Sequence, residues 1–233
     1  AEFARRAAPI IADCRNRNKN IVVVGGAGFY LKALVEGIPD GEAPDPETRS
    51  WIEAQIEQLG SSKAHQWLKE RDPQSADRIH ANDLYRIGRA LEKSYSAPAL
   101  PAAPFFDPGL FRFYGLEQAR SHLDLKLKER TVTMWRSGLL DEVEFLKNAR
   151  VTAAHPVWGA IGYREAADFL DRKISESQAK EKIFRRTRQY AKRQWTWFKR
   201  QHLVQWINLD EKNSLAEAAY FILSDLQKTK GDS

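Results

Sequence analysis

Nowhere does this sequence run apolar for the ~18 residues that a membrane-spanning helix requires, and cysteine occurs once, as Cys14. The first absence weighs against membrane insertion. The second excludes an intramolecular disulfide framework and a cysteine-built zinc cluster, and suits a reducing, cytoplasmic setting. Cys14 reads more readily as a small packed residue than as a nucleophile, because no histidine stands at a recognisable spacing from it. Histidine is scarce too: His65, His80, His122, His155 and His202 show no metal-ligand spacing, and none is assigned a catalytic role. Near the start, Arg5-Arg6 lead into Ala7-Ala8-Pro9-Ile10-Ile11-Ala12, but Asp13 cuts this run short of a signal-peptide core, and no export signal is read. Acid is missing from one long stretch, 182–202, and that absence is the most informative.

Within that stretch lie Lys182, Arg185, Arg186, Arg188, Lys192, Arg193, Lys199 and Arg200, while the whole chain has a formal charge of only +6. Without these eight residues the chain would be net acidic. At about 100° per residue the bases fall within roughly 160° of arc, and Ile183, Phe184, Tyr190, Ala191, Trp195, Trp197 and Phe198 fill the opposite arc. The pattern predicts a helix over 180–201 with one packing face and one cationic face. A stripe of uncompensated bases repels itself and suits a polyanion, nucleic acid first; a merely solvated surface stripe is the alternative.

With 233 residues, 42% of them hydrophobic and 29% charged, the chain has the length of one large soluble domain or a domain carrying an insert. Residues 1–16 read as a helix entered in mid-pattern. Ile21-Val22-Val23-Val24 reads as a buried parallel strand, Gly25-Gly26-Ala27-Gly28 as a turn, and 29–35 as a helix. The turn could offer N–H groups to an anion, but no Gly-Lys-Ser/Thr follows it, and its glycines can equally be structural. After a breaker-rich link at 37–46, helices are expected over 47–59, 62–71 and 83–95, then a proline-rich loop over 96–109. Further on come a strand at 110–115, helices at 118–137, 141–148 and 163–170, a strand at 203–207 and a closing helix at 214–227. Strands separated by helices predict an α/β core. Trp158 to Glu165 reads as a loop turning into a helix, with Tyr163 and Arg164 able to stack on a base or hold a phosphate, or as a glycine-flexed packing turn.

Six segments, VGGAGFYLKALVEGIPD at 24–40, DPETR at 45–49, DPQSADRIHANDLYRIGRALE at 72–92, MWRSGLLDEV at 134–143, AIGYREAADFL at 160–170 and TRQYAKRQWTWFKR at 187–200, together resemble the tRNA dimethylallyltransferases in order and spacing, from residue 1 to about 210. The resemblance implies a P-loop NTPase-like, parallel-sheet α/β core formed by 1–40 and 108–233, with a helical insert at 41–107 that contacts tRNA. It also implies Mg2+, dimethylallyl diphosphate and the anticodon stem-loop of tRNA as cofactor and partners, in a monomer. The implied reaction is transfer of a dimethylallyl group to N6 of adenine 37 in tRNAs reading codons that begin with U, with the base flipped out to expose N6.

Carried over by position, the family's tRNA contacts fall on Ala27, Arg49, Tyr85, Arg86, Arg89, Gly159, Tyr163, Arg164, Lys192, Arg193, Gln194, Trp197 and Lys199, and a diphosphate contact on Arg188. Three positions depart from the family pattern: Ala27 stands for threonine, Leu84-Tyr85 for a Pro-Gln pair, and Gly159 for a larger polar residue. The family's Gly-x-Thr-x-x-Gly-Lys-Thr loop and its general-base aspartate have no counterpart in the 233 residues. No catalytic residue is therefore assigned, and the chain alone is expected to be inactive, being either part of an enzyme or a module that holds tRNA without modifying it.

Overall fold

The structure is a computed structural model describing residues 2–37, 45–96, 104–107, 109, 111–201, 203–211 and 215–231, with 228–231 described by backbone alone. The expected loop at 96–109 and link at 37–46 lie largely outside the described residues. Two compact units emerge, Ala1–Val22 with Phe29–Leu110, and Val23–Gly28 with Phe111–Ser233. Most of 1–40 thus groups with 41–107 rather than with 108–233.

The first unit is helical. It holds α1 (Glu2–Asn16), all but the first residue of α2 (Gly28–Val35), α3 (Pro46–Arg71), α4 (Pro73–Ala76) and α5 (Leu84–Tyr95). Aspartates start three of these. Asp45 accepts from the Thr48 N–H at 3.2 Å with Pro46 in the first turn, Asp72 accepts from Ser75 at 3.0 Å, and Asp83 accepts from Arg86 at 3.2 Å. Each bond satisfies an N–H that the helix itself leaves unpaired. The hydrogen bonds from Ser75 hold the Asp72 carboxyl below its ordinary range. The two helices expected at 47–59 and 62–71 run on as α3, bent at Gly60, whose φ of +73° suits glycine. Ile52, Ile56, Ala64, Leu68, Ala76, Ile87 and Leu91 form the core between α3, α4 and α5. Beside it, the His65 Nε2–H donates to the carbonyls of Ala76 and Ile79 at 3.0 and 2.9 Å, tying α3 to the turn after α4.

The second unit is mixed. β1 (Phe113–Glu117) and β2 (Val204–Asn208) pair in parallel, Phe113 opposite Val204 through Glu117 opposite Asn208. Parallel neighbours need a long crossover. Here it is helical: α6 (Arg120–Met134), a π-helical turn at Trp135–Leu139, α7 (Leu140–Asn148), α8 (Tyr163–Leu170) and α9 (Glu176–Phe198). α10 (Leu215–Gly231) closes the chain. Gly138, at φ +105°, allows the turn between α6 and α7. Trp135, Leu139, Val143, Ala166, Ala179 and Ile183 make this unit's core.

One expected strand is absent. Ile21–Val24 forms no regular element and pairs with no strand among the described residues, with Val24 89% exposed. A β-branched run becomes a strand only when a neighbour takes its N–H and C=O groups, and among the described residues only β1 and β2 form such a ladder. The expected α/β architecture is therefore mostly helical with a small parallel sheet.

Candidate nucleic-acid interface

In the second unit, α9 organises the predicted residues. A capping box begins it: Ser175 Oγ accepts from the Gln178 N–H at 3.3 Å, and Gln178 Oε1 accepts from the Ser175 N–H at 2.8 Å. Its first half packs on α6 and α8 through Ala179 and Ile183. At 23 residues it is about 35 Å long, far beyond the reach of the eight-residue α8. This corrects the expected packing face: Tyr190 and Trp195 are exposed, because the second half of α9 outruns the helices that bury the first.

The stripe of bases is also less bare than its letters imply. Arg185 pairs with Glu181 at 2.8 Å, Arg186 with the buried Glu165 at 2.6 Å, Arg188 with Asp124 at 3.0 Å and Lys199 with Glu117 at 2.9 Å. Three of these acids come from α8, α6 and β1, which no inspection of 182–202 could reveal. Lys182, Lys192, Arg193 and Arg200 make no salt bridge among the described residues. These four are the available cations.

Lys199 is the most committed of the predicted contacts. Its ammonium also sits 4.1 Å from the Trp206 ring centroid, and Glu117 accepts from the Trp195 indole N–H at 3.3 Å. The Lys199 hydrogen bond holds the Glu117 carboxyl below its ordinary range.

The glycine turn lies on α9. The Gln194 amide donates to the Gly26 carbonyl at 3.0 Å. A Cβ on Gly26 would stand 2.0 Å from Gln194 Nε2, and one on Gly28 would stand 2.2 Å from Trp197 Cε3. Both glycines therefore serve close approach, whereas a Cβ on Gly25 would meet nothing. Ala27 is exposed between them.

Ahead of α8, Gly162 takes φ +110°, and its N–H donates to Glu165 Oε2 at 3.0 Å. Arg186 joins the other oxygen of Glu165 to the Gly159 carbonyl, reached at 3.2 Å, and so fastens 159–165 to α9. Tyr163 is partly buried and donates to Glu142 at 2.6 Å, a bond that with burial raises its phenol above the ordinary value. Arg164 is exposed.

In the first unit, Arg49 on α3 and Arg89 on α5 both face Glu92, Tyr85 is 77% exposed, and Arg86 lies 3.4 Å from Asp83. Sequence reasoning missed the acids Glu92, Glu165 and Glu117. For Glu92 a signal existed: it shares the apolar face of α5 with Gly88, one turn earlier, where a charged residue is out of place.

Comparison with known proteins gives a consistent result. The profile of the IPP transferase family matches residues 1–201. The chain is 32% identical to a tRNA dimethylallyltransferase of Geobacter sulfurreducens over 93% of its length and 73% of that protein's. It is 35% identical to tRNA dimethylallyltransferase 2 of Geotalea daltonii over 89% of its length, and spans 65% of that relative. Among solved structures, the tRNA isopentenylpyrophosphate transferase of Bacillus halodurans aligns at a TM-score of 0.63 and 30% identity, covering 98% of this chain and 74% of that one. A eukaryotic dimethylallyltransferase acting on tRNA shares the fold at a TM-score of 0.71, with 24% identity over 97% of this chain and 61% of that one.

Proposed function

Because the chain belongs to the IPP transferase family, we propose that it serves tRNA modification by prenyl transfer, carrying a dimethylallyl group from its diphosphate to N6 of adenine 37 in tRNAs reading codons that begin with U. One observation carries its share in RNA binding: a single long helix holds the glycine turn, the 159–165 loop and three unpaired cations together, with Arg200 just past its end. Lys192, Arg193 and Arg164 are proposed to meet phosphates. Gln194, Trp197, Ala27 and Gly159 are proposed to shape the site around the flipped base; Arg49, Tyr85, Arg86 and Arg89 are proposed, separately, as tRNA contacts of the first unit. Tyr163 and Lys199 are proposed to act from positions already tied to Glu142 and Glu117. Arg188 remains the candidate for the diphosphate, in competition with Asp124. A P-loop-type core, a monomer and a cytoplasmic setting belong to the same proposal; among the described residues, no helix is long and apolar enough to cross a membrane.

Magnesium would neutralise the leaving diphosphate, drawing one or two carboxylates from protein and its other ligands from phosphate and water. The described residues gather no group of three or more potential ligands, and no step is derived through the ion. The 233 residues contain no Gly-x-Thr-x-x-Gly-Lys-Thr run, so by themselves they are expected to bind RNA without prenylating it. The test pairs filter binding of an anticodon stem-loop against an unrelated hairpin of equal length with an assay of labelled dimethylallyl transfer. Preference for the stem-loop without transfer is the expected result. Equal binding of both hairpins overturns the RNA reading, and transfer by this chain overturns its inactivity.

A further inference from the structure

Two acidic side chains are buried among the described residues, Glu92 and Glu165, and each is paired with arginine. Glu165 is accounted for by the fold, since it caps Gly162 and locks the loop onto α9. Glu92 has no such backbone duty among the hydrogen bonds of its carboxylate. It is 2% exposed beside Leu91 in the core of the first unit, a costly place for a carboxylate that an apolar residue could fill. Its two oxygens face two guanidinium groups on different helices. Arg89, one turn earlier on α5, donates to Oε2, and Arg49 Nε on α3 lies 3.5 Å from Oε1. The same Nε lies 3.5 Å from the exposed Glu53, one turn on along α3, so Glu92 is the buried one of two acids on Arg49 and the acid it shares with Arg89. Those arginines are 46% and 48% exposed. A guanidinium has five N–H donors in a rigid fork, so each retains donors for an outside acceptor. Tyr85 lies on the same face as Arg89, one turn before it, with its ring exposed.

We infer that Glu92 is a positioning residue, holding Arg49 and Arg89 as a preset pair of forks for two phosphates of a folded RNA while Tyr85 offers a stacking surface beside them. The inference rests on the RNA reading above. Loose cations attract any RNA, whereas cations held at a fixed separation favour the backbone whose phosphates match them, because the ordering cost is met before binding. Glu92 therefore acts on discrimination more than on gross affinity.

The test compares the full chain with Glu92→Gln, which keeps the shape, removes the one anion that both forks share and so takes away one negative charge, leaving Arg49 only the exposed Glu53. Filter binding with an anticodon stem-loop and with an unstructured RNA of equal length should show the preference for the stem-loop falling by about tenfold, while the unstructured RNA binds as well as before or better. A merely structural role would weaken both RNAs together, and that parallel loss overturns the inference, as does an unchanged preference in a folded variant. If Glu92→Gln does not fold by circular dichroism, Arg49→Lys with Arg89→Lys keeps both charges and the acid but removes the forks. The same loss of preference is expected there, and its retention overturns the inference. A wild-type chain with no preference for the stem-loop instead overturns the RNA reading on which the inference stands.

Discussion

Gly28 and Gly26 look interchangeable as letters, yet the side chains they face differ in what they can yield. Gln194 meets Gly26 with the tip of a flexible chain, which a new methyl group could push aside. Trp197 meets Gly28 with a rigid indole that also stacks edge to face on Phe198 at 4.8 Å. Gly28→Ala is therefore expected to cost about 1–3 kcal/mol as overpacking, and Gly26→Ala distinctly less, as read by urea denaturation. Equal costs would mean that Trp197 moves as freely as Gln194. Tyr114 gives a second prediction at this scale. Burial, and then its 2.6 Å bond to Asp225, push its phenol up to about 12 from 10. A raised folded-state value means that the contribution is complete below pH 10 and is lost as pH climbs through about 12. The stability gap between wild type and Tyr114→Phe should be constant below pH 10 and shift across that window. A gap that stays flat to pH 12 removes Tyr114 from the alkaline transition.

At the scale of elements, α9 depends on how it starts. Ser175 satisfies an otherwise unpaired N–H of the first turn, and the helix carries both the core residues Ala179 and Ile183 and the cationic face. Ser175→Ala should lower unfolding free energy by about 0.5–2 kcal/mol, seen as an earlier urea midpoint with an unchanged slope; a Gly substitution there should cost less. A drop larger than this range would mean that Ser175 does more than cap. Capping residues and periodicity explain why so much was legible in the sequence. α8 falls on the expected 163–170, and the basic helix differs from expectation only at its ends, since both rest on local signals. The Ile21–Val24 run was misread because strand identity depends on a partner elsewhere. The pairing of Arg186, Arg188 and Lys199 was invisible for the same reason: a sequence displays charges along one element, but not the acids that another element brings to them.

At the scale of the whole molecule, a formal charge of +6 says little until its mobile part is separated from its committed part. Lys182, Lys192 and Arg193 fall within about 100° of the α9 surface, the first and last about 16 Å apart along its axis, and Arg200 follows just past its end. Cations without acidic partners are covered by solvent alone, so each can release a counterion from RNA on contact. A cation already held by a carboxylate must break that pair first. Replacing Lys182, Lys192, Arg193 and Arg200 together by alanine should flatten the log–log dependence of stem-loop affinity on salt by about 3 units, at roughly 0.7–0.9 per phosphate. Circular dichroism should hardly change, because these side chains are exposed and alanine favours helix. The matched control replaces Arg185, Arg186, Arg188 and Lys199, whose partners are Glu181, Glu165, Asp124 and Glu117. That variant should lose stability, because it strands the buried Glu165, while its salt dependence falls by much less. Titrations at several salt concentrations, run on all three proteins with one anticodon stem-loop, decide the matter. If the two variants flatten the line equally, the pairing seen in the structure does not partition the helix, and every base on the stripe would count alike toward RNA.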